Sequence, residues 1–309
     1  MSKFVALAGG VGGAKLALGL TEILSPEQLS IVVNTADDQE FYGLHVSPDL
    51  DTMMYTLSGK SNEKLGWGIK DESFRTLSEL KKLGLDSWFQ LGDLDFATHI
   101  YRTNLMKQNM TLSEITDKLC KAHGLEFPII PMTDDRVRTI LTTESGDLNF
   151  QEYFVKYFCE PQVTTIRFDG IQNAKPSPNF LTALEEADYL LYCPSNPFLS
   201  LHPIIFLPGV WDLLKSFDGK RIAVSSIVNG DAIKGPTAKL LKELDEEISA
   251  FGIAKHFTGI CDYFVLDDID SHLIPKIDSL GIKSFQTNII MNSLTEKTNL
   301  AKFLLNLCD

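Results

Sequence analysis

The sequence predicts an α/β protein with a Rossmann-like core, in which a mostly parallel sheet carries helices on both faces. Three observations predict this class. Short, nearly continuous apolar runs alternate with segments of helical periodicity, and such runs are typical of strands that are buried on both faces. Strands that alternate with helices favour a parallel sheet. Four glycines between residues 9 and 13 join the first strand to the first helix.

The predicted elements of this core lie at both ends of the chain. The predicted strands are KFVALAG (3–9), LSIVVNT (29–35), ADYLLYCPS (187–195), KRIAVSSIV (220–228) and CDYFVLDD (261–268). The predicted helices are GGAKLALGLTEIL (12–24), SPNFLTALEEA (177–187), PGVWDLLKSF (208–217), GPTAKLLKELDEEISAFG (235–252) and NSLTEKTNLAKFLLNL (292–307). Each helix follows a strand, as in a doubly wound sheet.

The middle of the chain has a different pattern. Residues 71–123 are mainly of helical character, and Thr111 with Glu114 forms a predicted capping box. Short β-rich pieces follow, with Ser145-Gly146-Asp147 as a predicted turn of a hairpin. We therefore expect residues 1–60 and 161–309 to form the nucleotide-binding core, and residues 61–160 to form a helical and β-hairpin insertion.

Composition excludes several classes of protein. The chain has 28 Lys and Arg against 41 Asp and Glu, a net charge of −13, and an acidic surface repels nucleic acid. No apolar run approaches the roughly 18 to 20 residues of a membrane helix, so we expect a cytoplasmic protein without a membrane partner. No cysteine pair has the spacing of a zinc site, and buried thiols are expected at all five cysteines: Cys120, Cys159, Cys193, Cys261 and Cys308.

The glycine-rich segment is a candidate phosphate-binding loop. Gly9, Gly10, Gly12 and Gly13 lie where a doubly wound sheet places backbone N–H groups and a positive helix end against a phosphate. The segment is not a GxxxxGK[ST] loop, because Lys15 comes too early. It also departs from GxGxxG at its last position, so a tight strand-to-helix turn remains the alternative.

Polar residues follow two other predicted strands. Asn34, Asp37 and Asp38 end the second strand, where Rossmann-type cores often contact a ribose, although Asp37 and Asp38 also suit a turn or a helix cap. Ser195 and Asn196 are framed by two prolines after the ADYLLYCPS strand. This framing predicts a rigid polar turn in the ligand crevice, or a purely structural loop.

Two pairs of aspartates suggest cation or ligand contacts. Asp49 and Asp51 stand two residues apart after Pro48; their repulsion favours a bound Mg²⁺, or else both belong to the first turn of a helix. The second pair is Asp93 and Asp95, followed by His99 and Arg102 one turn apart. Trp88 and Phe89 precede that pair as an aromatic surface for a ligand, or as core residues.

Nine motifs occur in an order that resembles one known family. They are LAGGVGGAKLALGL, VVNTADD, GLHVSPDLDTMMYTLSG, GWGIKDESF, LGDLDFATHIYRT, PMTDDRVRTI, NFQEYFVKYF, PSNPFLSLHPI and SSIVNGDAIKGPTAKLL. Together they resemble the 2-phospho-L-lactate transferase family of coenzyme F420 biosynthesis. The resemblance extends from Phe4 to about Leu300, and SPDLDT, LGDLDxATH and PSNPxxSxxP are its most specific pieces.

The resemblance implies a reaction and a set of small-molecule partners. Members join a phospholactyl or phosphoenolpyruvyl unit, carried on guanosine diphosphate, to the deazaflavin alcohol Fo, and release GMP with the help of Mg²⁺. By motif, the residues implied to bind the nucleotide are Gly10, Gly12, Gly13, Asn34, Asp37, Ser195 and Asn196. The residues implied to bind Fo are Asp51, Gln90, Trp88 and Asp93, on the side of the cleft formed by the insertion.

The chain departs from the family pattern at two places. Gln90 stands where some relatives carry Lys, so its contact with Fo differs or is weaker. The segment KYFCEP is less basic than the corresponding run of the family, and the donor's carboxylate then needs another partner, with Arg136, Arg138 and Lys156 as candidates. An apolar late helix suits either a homodimer interface or the core.

The chemistry of such a transfer agrees with these residues. Attack of a hydroxyl on a diphosphate needs placement and charge neutralisation more than a strong nucleophile. Asp49 and Asp51 are expected to hold Mg²⁺ and to accept the hydroxyl proton between them, with Asp51 nearest to that hydroxyl. The sequence leaves open whether the donor carries lactate, enolpyruvate or glycerate.

Two other functions remain alternatives. One is a nucleotide-sugar or dinucleotide-binding regulatory protein with the same core, which would not be expected to carry both SPDLDT and LGDLDxATH. The other is an NAD-dependent oxidoreductase, which the imperfect GxGxxG disfavours.

Overall fold

The computed structural model describes residues 1–62 and 66–308. Its centre is a seven-stranded sheet in which every strand pair is parallel. In spatial order the strands are β14 (Lys283–Gln286), β13 (Tyr263–Leu266), β10 (Lys220–Val224), β9 (Tyr189–Tyr192), β1 (Phe4–Ala8), β2 (Leu29–Val33) and β5 (Ile129–Pro131). All five strands predicted for the core are present, and the predicted fold class is confirmed.

The strand order reverses direction next to β1. From β1 the chain builds outward through β2 to β5, and from β9 it builds outward on the other side through β10 and β13 to β14. In open α/β sheets, ligands bind beyond the carboxyl ends of the strands at such a switch point. The glycine loop follows β1 and the PSN turn (194–196) follows β9, so both border this crevice.

Both faces of the sheet are buried. Along β1, Val5 and Leu7 belong to one apolar core, whereas Phe4, Ala6 and Ala8 belong to a second core on the opposite face. Because successive strand residues point to opposite faces, this division explains why the strand is apolar at every position. Helices cover both cores.

The helices agree with the predicted pattern, except that one predicted helix is divided into two. They are α1 (Gly10–Thr21), α2 (Pro48–Leu57), α3 (Arg75–Lys82), α4 (Asp93–Met106), α5 (Leu112–Ala122), α6 (Pro178–Glu186), α7 (His202–Ile205), α8 (Val210–Lys215), α9 (Thr237–Glu243), α10 (Ala250–Lys255), α11 (Ile274–Asp278) and α12 (Leu294–Asn306). The stretch 235–252, predicted as one helix, forms α9 and the start of α10. The capping box of Thr111 and Glu114 at α5 is confirmed.

The middle segment is less separate than the sequence suggests. The predicted hairpin is present as β6 (Arg138–Thr143) and β7 (Gly146–Asn149), but β6 also pairs with β8 (Val163–Asp169). In addition, β5 lies inside the range 61–160 and forms an edge of the central sheet. The proposed boundaries therefore do not separate two units, because backbone pairing joins that range to the core.

The remaining short elements connect these parts. They are the β-ribbons β3 (Gln39–Phe41) with β4 (Leu44–Val46) and β11 (Ile227–Val228) with β12 (Asp231–Ala232), the π-helical turns Glu152–Lys156 and Pro197–Leu201, and the 3₁₀ turns Ile171–Asn173 and Asp268–Leu273. All five cysteines are free thiols, as predicted; four are buried, whereas Cys159 is only half-buried. Within residues 1–62 and 66–308, no helix combines the length and apolar composition of a transmembrane span.

Candidate active site

A cavity of about 310 Å³ lies at the switch point of the sheet. Its floor combines the glycine loop, the PSN turn and the start of α2, and residues of the middle segment form the opposite wall. The cavity is lined by Gly9, Gly10, Val11, Gly12, Asp37, Pro48, Asp49, Thr52, Gly66, Trp67, Phe89, Gln90, Phe150, Gln151, Phe154, Val155, Pro194, Ser195, Asn196, Leu199, Ser200, Ser226, Ile233, Lys234, Gly235 and Pro236.

The glycine loop is shaped by its neighbours in the cavity. Gly10 has a φ of 55°, in the left-handed region that favours glycine. At Gly12, a Cβ atom would lie 2.2 Å from the carbonyl oxygen of Pro194, so only glycine allows the PSN turn to approach. The glycines therefore serve the packing of the floor, and the first N–H groups of α1 face this region without partners inside the helix.

The polar side chains of the PSN turn are engaged within the protein. The Ser195 hydroxyl donates to the carbonyl of Gly9 at 2.8 Å and accepts from the Gly9 N–H at 3.1 Å. The Asn196 amide oxygen accepts from the N–H groups of Phe198 and Leu199, and its nitrogen donates to Thr237. Both residues line the cavity as predicted, and the side-chain hydrogen bonds just described stabilise the turn.

Asn34 connects two carboxylates that face the cavity. Its buried amide nitrogen lies 3.1 Å from Asp37 Oδ2, 3.0 Å from Asp49 Oδ2 and 3.3 Å from the carbonyl of Leu199. Asp37 and Asp49 line the cavity, whereas Asn34 lies behind them. The predicted contact of Asn34 with a nucleotide stays a prediction, and its bonds orient these two aspartates.

Both carboxyl groups have raised pKa values. Burial is the main cause at Asp49, where it raises the pKa to about 7 against the bonds from Asn34 and the Gly10 N–H. At Asp37, burial and then the charge of Asp49 raise the pKa well above its usual value. The Oδ1 atom of Asp37 is buried and has no hydrogen-bond partner among the described residues. Two carboxyl groups that form no ion pair with the described residues therefore face one small volume.

Asp51 occupies a different environment from Asp49. Both lie in the first turn of α2, which begins at Pro48, but Asp51 does not line the cavity. Its carboxylate pairs with both terminal nitrogens of Arg102, a fully buried residue of α4, and His99 Nδ1 lies 3.7 Å away. The spacing of Asp49 and Asp51 predicted a nearby cation. The cation beside Asp51 is the guanidinium of Arg102. Metal binding, catalysis and Fo binding by Asp51 stay predictions, and the carboxylate of Asp51 does not face the cavity.

Aromatic side chains form the wall opposite the glycine loop. Trp67, Phe89, Phe150 and Phe154 line the cavity, and the rings of Phe150 and Phe154 stack with centroids 5.3 Å apart. Gln90 also lines it. Trp88 does not, because its ring packs edge-on against Phe41 at 5.3 Å. The aromatic surface predicted from Trp88 and Phe89 is therefore formed at the cavity by Phe89 alone.

Two further predicted contacts lie elsewhere. Asp93 accepts bonds from the Ser73 hydroxyl and from the N–H groups of Thr76 and Arg75, which lowers its pKa to about 2 and caps the start of α3. Gly13 packs against Ala8 and Ser195 below the floor. Neither residue lines the cavity.

Other charged residues that were predicted near the site contact protein groups or lie outside the cavity. Asp38 accepts from the Ser47 hydroxyl at 2.8 Å and pairs with His45 at 2.9 Å, and Asp95 pairs with His99 at 3.2 Å. The three cations predicted for the donor's carboxylate, Arg136, Arg138 and Lys156, do not line the cavity. Lys156 instead lies over the ring of Trp88, 5.5 Å from its centroid.

Sequence reasoning missed several lining residues. They are Trp67, Phe150, Gln151, Phe154, Ser200, Ser226 and Lys234. Some carried a signal, because the motifs GWGIKDESF, NFQEYF and SSIVNGDAIKGP contain them. Their position in one cavity depends on how distant segments meet, which spacing along the chain does not encode.

The donor set at the floor fits a magnesium ion that is completed by substrate. Among the described residues, no group of three or more His, Cys, Asp or Glu side chains forms a metal site. Mg²⁺, however, is usually held by one or two carboxylates together with phosphate oxygens and water. Asp37 and Asp49 supply that pair, and the unpartnered Oδ1 of Asp37 is a suitable ligand atom.

Comparisons with known proteins give one consistent result. The family model described as 2-phospho-L-lactate transferase CofD matches residues 4–295. A 2-phospho-L-lactate transferase of Methanococcoides burtonii is 38% identical over 98% of both chains, and a phosphoenolpyruvate transferase of Streptomyces coelicolor is 36% identical over 99% of this chain and 98% of its own. A crystal structure of a UPF0052 family member from Bacillus halodurans has a TM-score of 0.63 at 13% identity and covers 98% of both chains, which shows a shared fold.

Proposed function

Since the chain belongs to the 2-phospho-L-lactate transferase CofD family, we propose that it transfers a phosphorylated three-carbon acid from a guanosine-diphospho donor to the deazaflavin alcohol Fo. The donor carries a lactyl or enolpyruvyl unit, in keeping with the two names among its relatives. The products are a deazaflavin phosphodiester and GMP. That the chain is a transferase follows from the family itself.

The observation that carries this proposal is the meeting of three elements at one switch point. The glycine loop, the carboxylates of Asp37 and Asp49, and an aromatic wall all line the same cavity. A diphosphate suits the loop, since backbone N–H groups and the start of α1 attract anions. A flat tricyclic acceptor suits the wall, because aromatic rings stack favourably. The two substrates then meet in the middle.

The floor would bind the cation together with the donor. Asp37 and Asp49 would hold Mg²⁺, which supplies neutralisation of phosphate charge when it is bound. Asn34 keeps both carboxylates directed to the cavity through its amide nitrogen. Gly10 lies beside this pair, since a Cβ atom there would be 3.4 Å from Asp49 Oδ1, and this proximity links the pair to the glycine loop.

The acceptor would lie against the middle segment. Phe89, Phe150, Phe154 and Trp67 offer ring faces or edges, and Gln90 adds a neutral amide at the same wall. In this arrangement the ribityl chain of the acceptor would extend toward Asp49.

The reaction forms one phosphorus–oxygen bond and breaks another. A primary hydroxyl oxygen of the acceptor bonds to the phosphorus that carries the acid, and the bond from that phosphorus to the bridging diphosphate oxygen breaks. The bridging oxygen leaves with GMP and keeps the electron pair, and the hydroxyl proton passes to water. Since such transition states are loose, placement and charge neutralisation by the protein matter more than a strong base.

Asp51 would act as a positioning residue. Its pairing with buried Arg102 holds the first turn of α2 against α4, and Asp49 lies two residues earlier in that turn. This assignment differs from the expectation that Asp51 is nearest to the attacking hydroxyl. It explains how a carboxylate that does not face the cavity still controls the geometry there.

Incubation with Fo, Mg²⁺ and each guanosine-diphospho donor, followed by mass detection of the product, tests the proposal. We expect a phosphodiester of Fo and an equal amount of GMP with the lactyl or enolpyruvyl donor. Asp49→Asn should lower turnover at least about 100-fold, with Asp212→Asn on α8 as the exposed control. Thermal shifts by NAD but not by GDP would instead favour the oxidoreductase alternative, and GDP binding without transfer would favour the regulatory one.

A further inference from the structure

One cationic side chain faces the cavity from the core. Lys234 lies between β12 and α9, and it is the single Lys, Arg or His among the described residues that line the cavity. Its ammonium has no hydrogen bond or ion pair with the described part of the chain. A Cβ atom on Gly66 would lie 2.6 Å from Lys234 Nζ. The ammonium therefore reaches across to the segment that forms the opposite wall.

The protein around the Lys234 ammonium disfavours its charged form unless an anion is bound beside it. Partial burial lowers the pKa of Lys234, and the positive charge of Lys15 on α1 lowers it further. Gly10 and Gly12, in the first turn of α1, line the same cavity as Lys234, and this end of the helix is also positive. The Lys234 ammonium and the positive end of α1 thus face the same cavity, and an anion there would offset both.

A second residue independently indicates a ligand at this place. Ser226 follows β10, lines the cavity and is only 5% exposed. Its hydroxyl oxygen is buried and has no hydrogen-bond partner among the residues that the structure describes. Buried polar groups are normally satisfied, and an unsatisfied hydroxyl reduces stability. A ligand oxygen would supply the missing partner.

We propose that Lys234 and Ser226 form an oxyanion subsite for the donor, which binds either its diphosphate or its carboxylate. The assignment rests on the proposed function for the identity of the donor. It replaces Arg136, Arg138 and Lys156 as the cations that neutralise the donor, because those three lie outside the cavity. The ammonium provides charge, and the Ser226 hydroxyl provides a directed hydrogen bond.

Binding measurements on single variants test the subsite. Lys234→Met removes the charge but keeps the length of the side chain, and Lys242→Met, exposed on α9 outside the cavity, is the matched control. The probes are GDP, inorganic pyrophosphate and guanosine, the last of which has no phosphate. Ser226→Ala removes the hydroxyl alone, and Lys234→Arg keeps the charge. Both Lys234 variants should fold, because that residue is largely exposed.

The results identify the bound group. If the subsite binds the diphosphate, Lys234→Met weakens the binding of GDP and of pyrophosphate about tenfold or more, while guanosine binding is unchanged. Lys234→Arg then retains most of the affinity for both phosphates. If it binds the carboxylate, GDP binding is unchanged and the KM of the complete donor rises about tenfold. In either case we expect Ser226→Ala to change the same quantity in the same direction, by a smaller factor.

Changes below about twofold in all these quantities, equal to those of Lys242→Met, would overturn the subsite. Failure of the proposed function has a different signature. A wild-type protein that forms no deazaflavin product with any donor refutes the transfer reaction. The binding of pyrophosphate and of the complete donor, compared between wild type and Lys234→Met, still decides the subsite in that case.

Discussion

The carboxylate of Asp51 and the guanidinium of Arg102 form a two-point ion pair, and both side chains are buried. The pair joins the first turn of α2 to α4. Loss of one partner leaves an uncompensated charge in the interior, which is far more costly than loss of an exposed pair.

Asp51→Asn should therefore lower the free energy of unfolding by about 3–5 kcal/mol. Asp117→Asn, which breaks an exposed pair with Lys121 on α5, should lower it by less than about 0.5 kcal/mol. Urea unfolding followed by circular dichroism measures both. An Asp51→Asn protein of unchanged stability and strongly reduced turnover would show that Asp51 acts directly on substrate.

Gly12→Ala should disturb the floor of the cavity. The new Cβ would lie 2.2 Å from the Pro194 carbonyl oxygen, so the PSN turn must move, and we expect a loss of about 1–3 kcal/mol of stability together with weaker GDP binding. The control is Gly59→Ala, where the new Cβ has open space but φ is 66°. This variant should lose about 1–2 kcal/mol of stability without any change in GDP binding. Equal GDP affinity in both variants would contradict the steric argument.

Asp37→Asn should make the protein more stable at alkaline pH and less active. The pKa of Asp37 is raised above 3.8 in the folded state, so the folded protein binds more protons than the unfolded chain, and the charged form costs stability as the pH rises through that region. We expect a gain of at least about 1 kcal/mol at pH 8 that shrinks toward pH 4. Unfolding in EDTA at several pH values measures it.

The neighbouring position supplies the control for this charge effect. Asp38 has partners in His45 and Ser47, so Asp38→Asn weakens bonds that its negative charge strengthens and should not gain stability. If Asp37→Asn were destabilised at pH 8 to the same degree as Asp38→Asn, repulsion between Asp37 and Asp49 would not be a significant cost in the folded protein.

His202 should make the protein sensitive to acid. Burial, and then the nearby His256, lowers its pKa to about 3. Below pH 6.5 the unfolded chain therefore binds a proton that the folded protein does not, and stability falls by about 2 kcal/mol between pH 7.5 and 5.0. His202→Phe, which keeps a ring beside Phe198 and Phe206, should lose this part of the pH dependence. The exposed His272→Phe should retain it; equal slopes for both variants would refute the assignment.

Phe154→Ala should weaken binding of the acceptor rather than binding of the donor. Its ring lines the cavity and stacks on Phe150, and loss of stacking is expected to raise the KM for the deazaflavin about tenfold. Phe158→Ala is a matched control, because that ring is 78% exposed and lies outside the cavity. A rise in the KM for the nucleotide donor alone would assign the aromatic wall to the guanine base instead.

Local signals located most of the fold and several site residues. The apolar strands, the glycines at the first strand-to-helix junction, Asp49 and the PSN turn were predicted because turn chemistry and periodicity are properties of adjacent residues. Gln90 was found only through the family resemblance. The edge strand β5 was assigned to the insertion, since three residues carry too little pattern to show which sheet they join.

The sequence by itself determined the parallel α/β core, the glycine loop and the family, because buried strands, tight turns and ordered motifs leave a record in neighbouring residues. Only the tertiary structure decided which charged groups face the ligand. Asp49 and Asp51 lie in one helical turn, yet one faces the cavity and the other pairs with Arg102, 51 residues away along the chain. Lys234 reaches the same cavity from a remote segment. Desolvation and charge pairing depend on distances in space, which the order of residues does not specify.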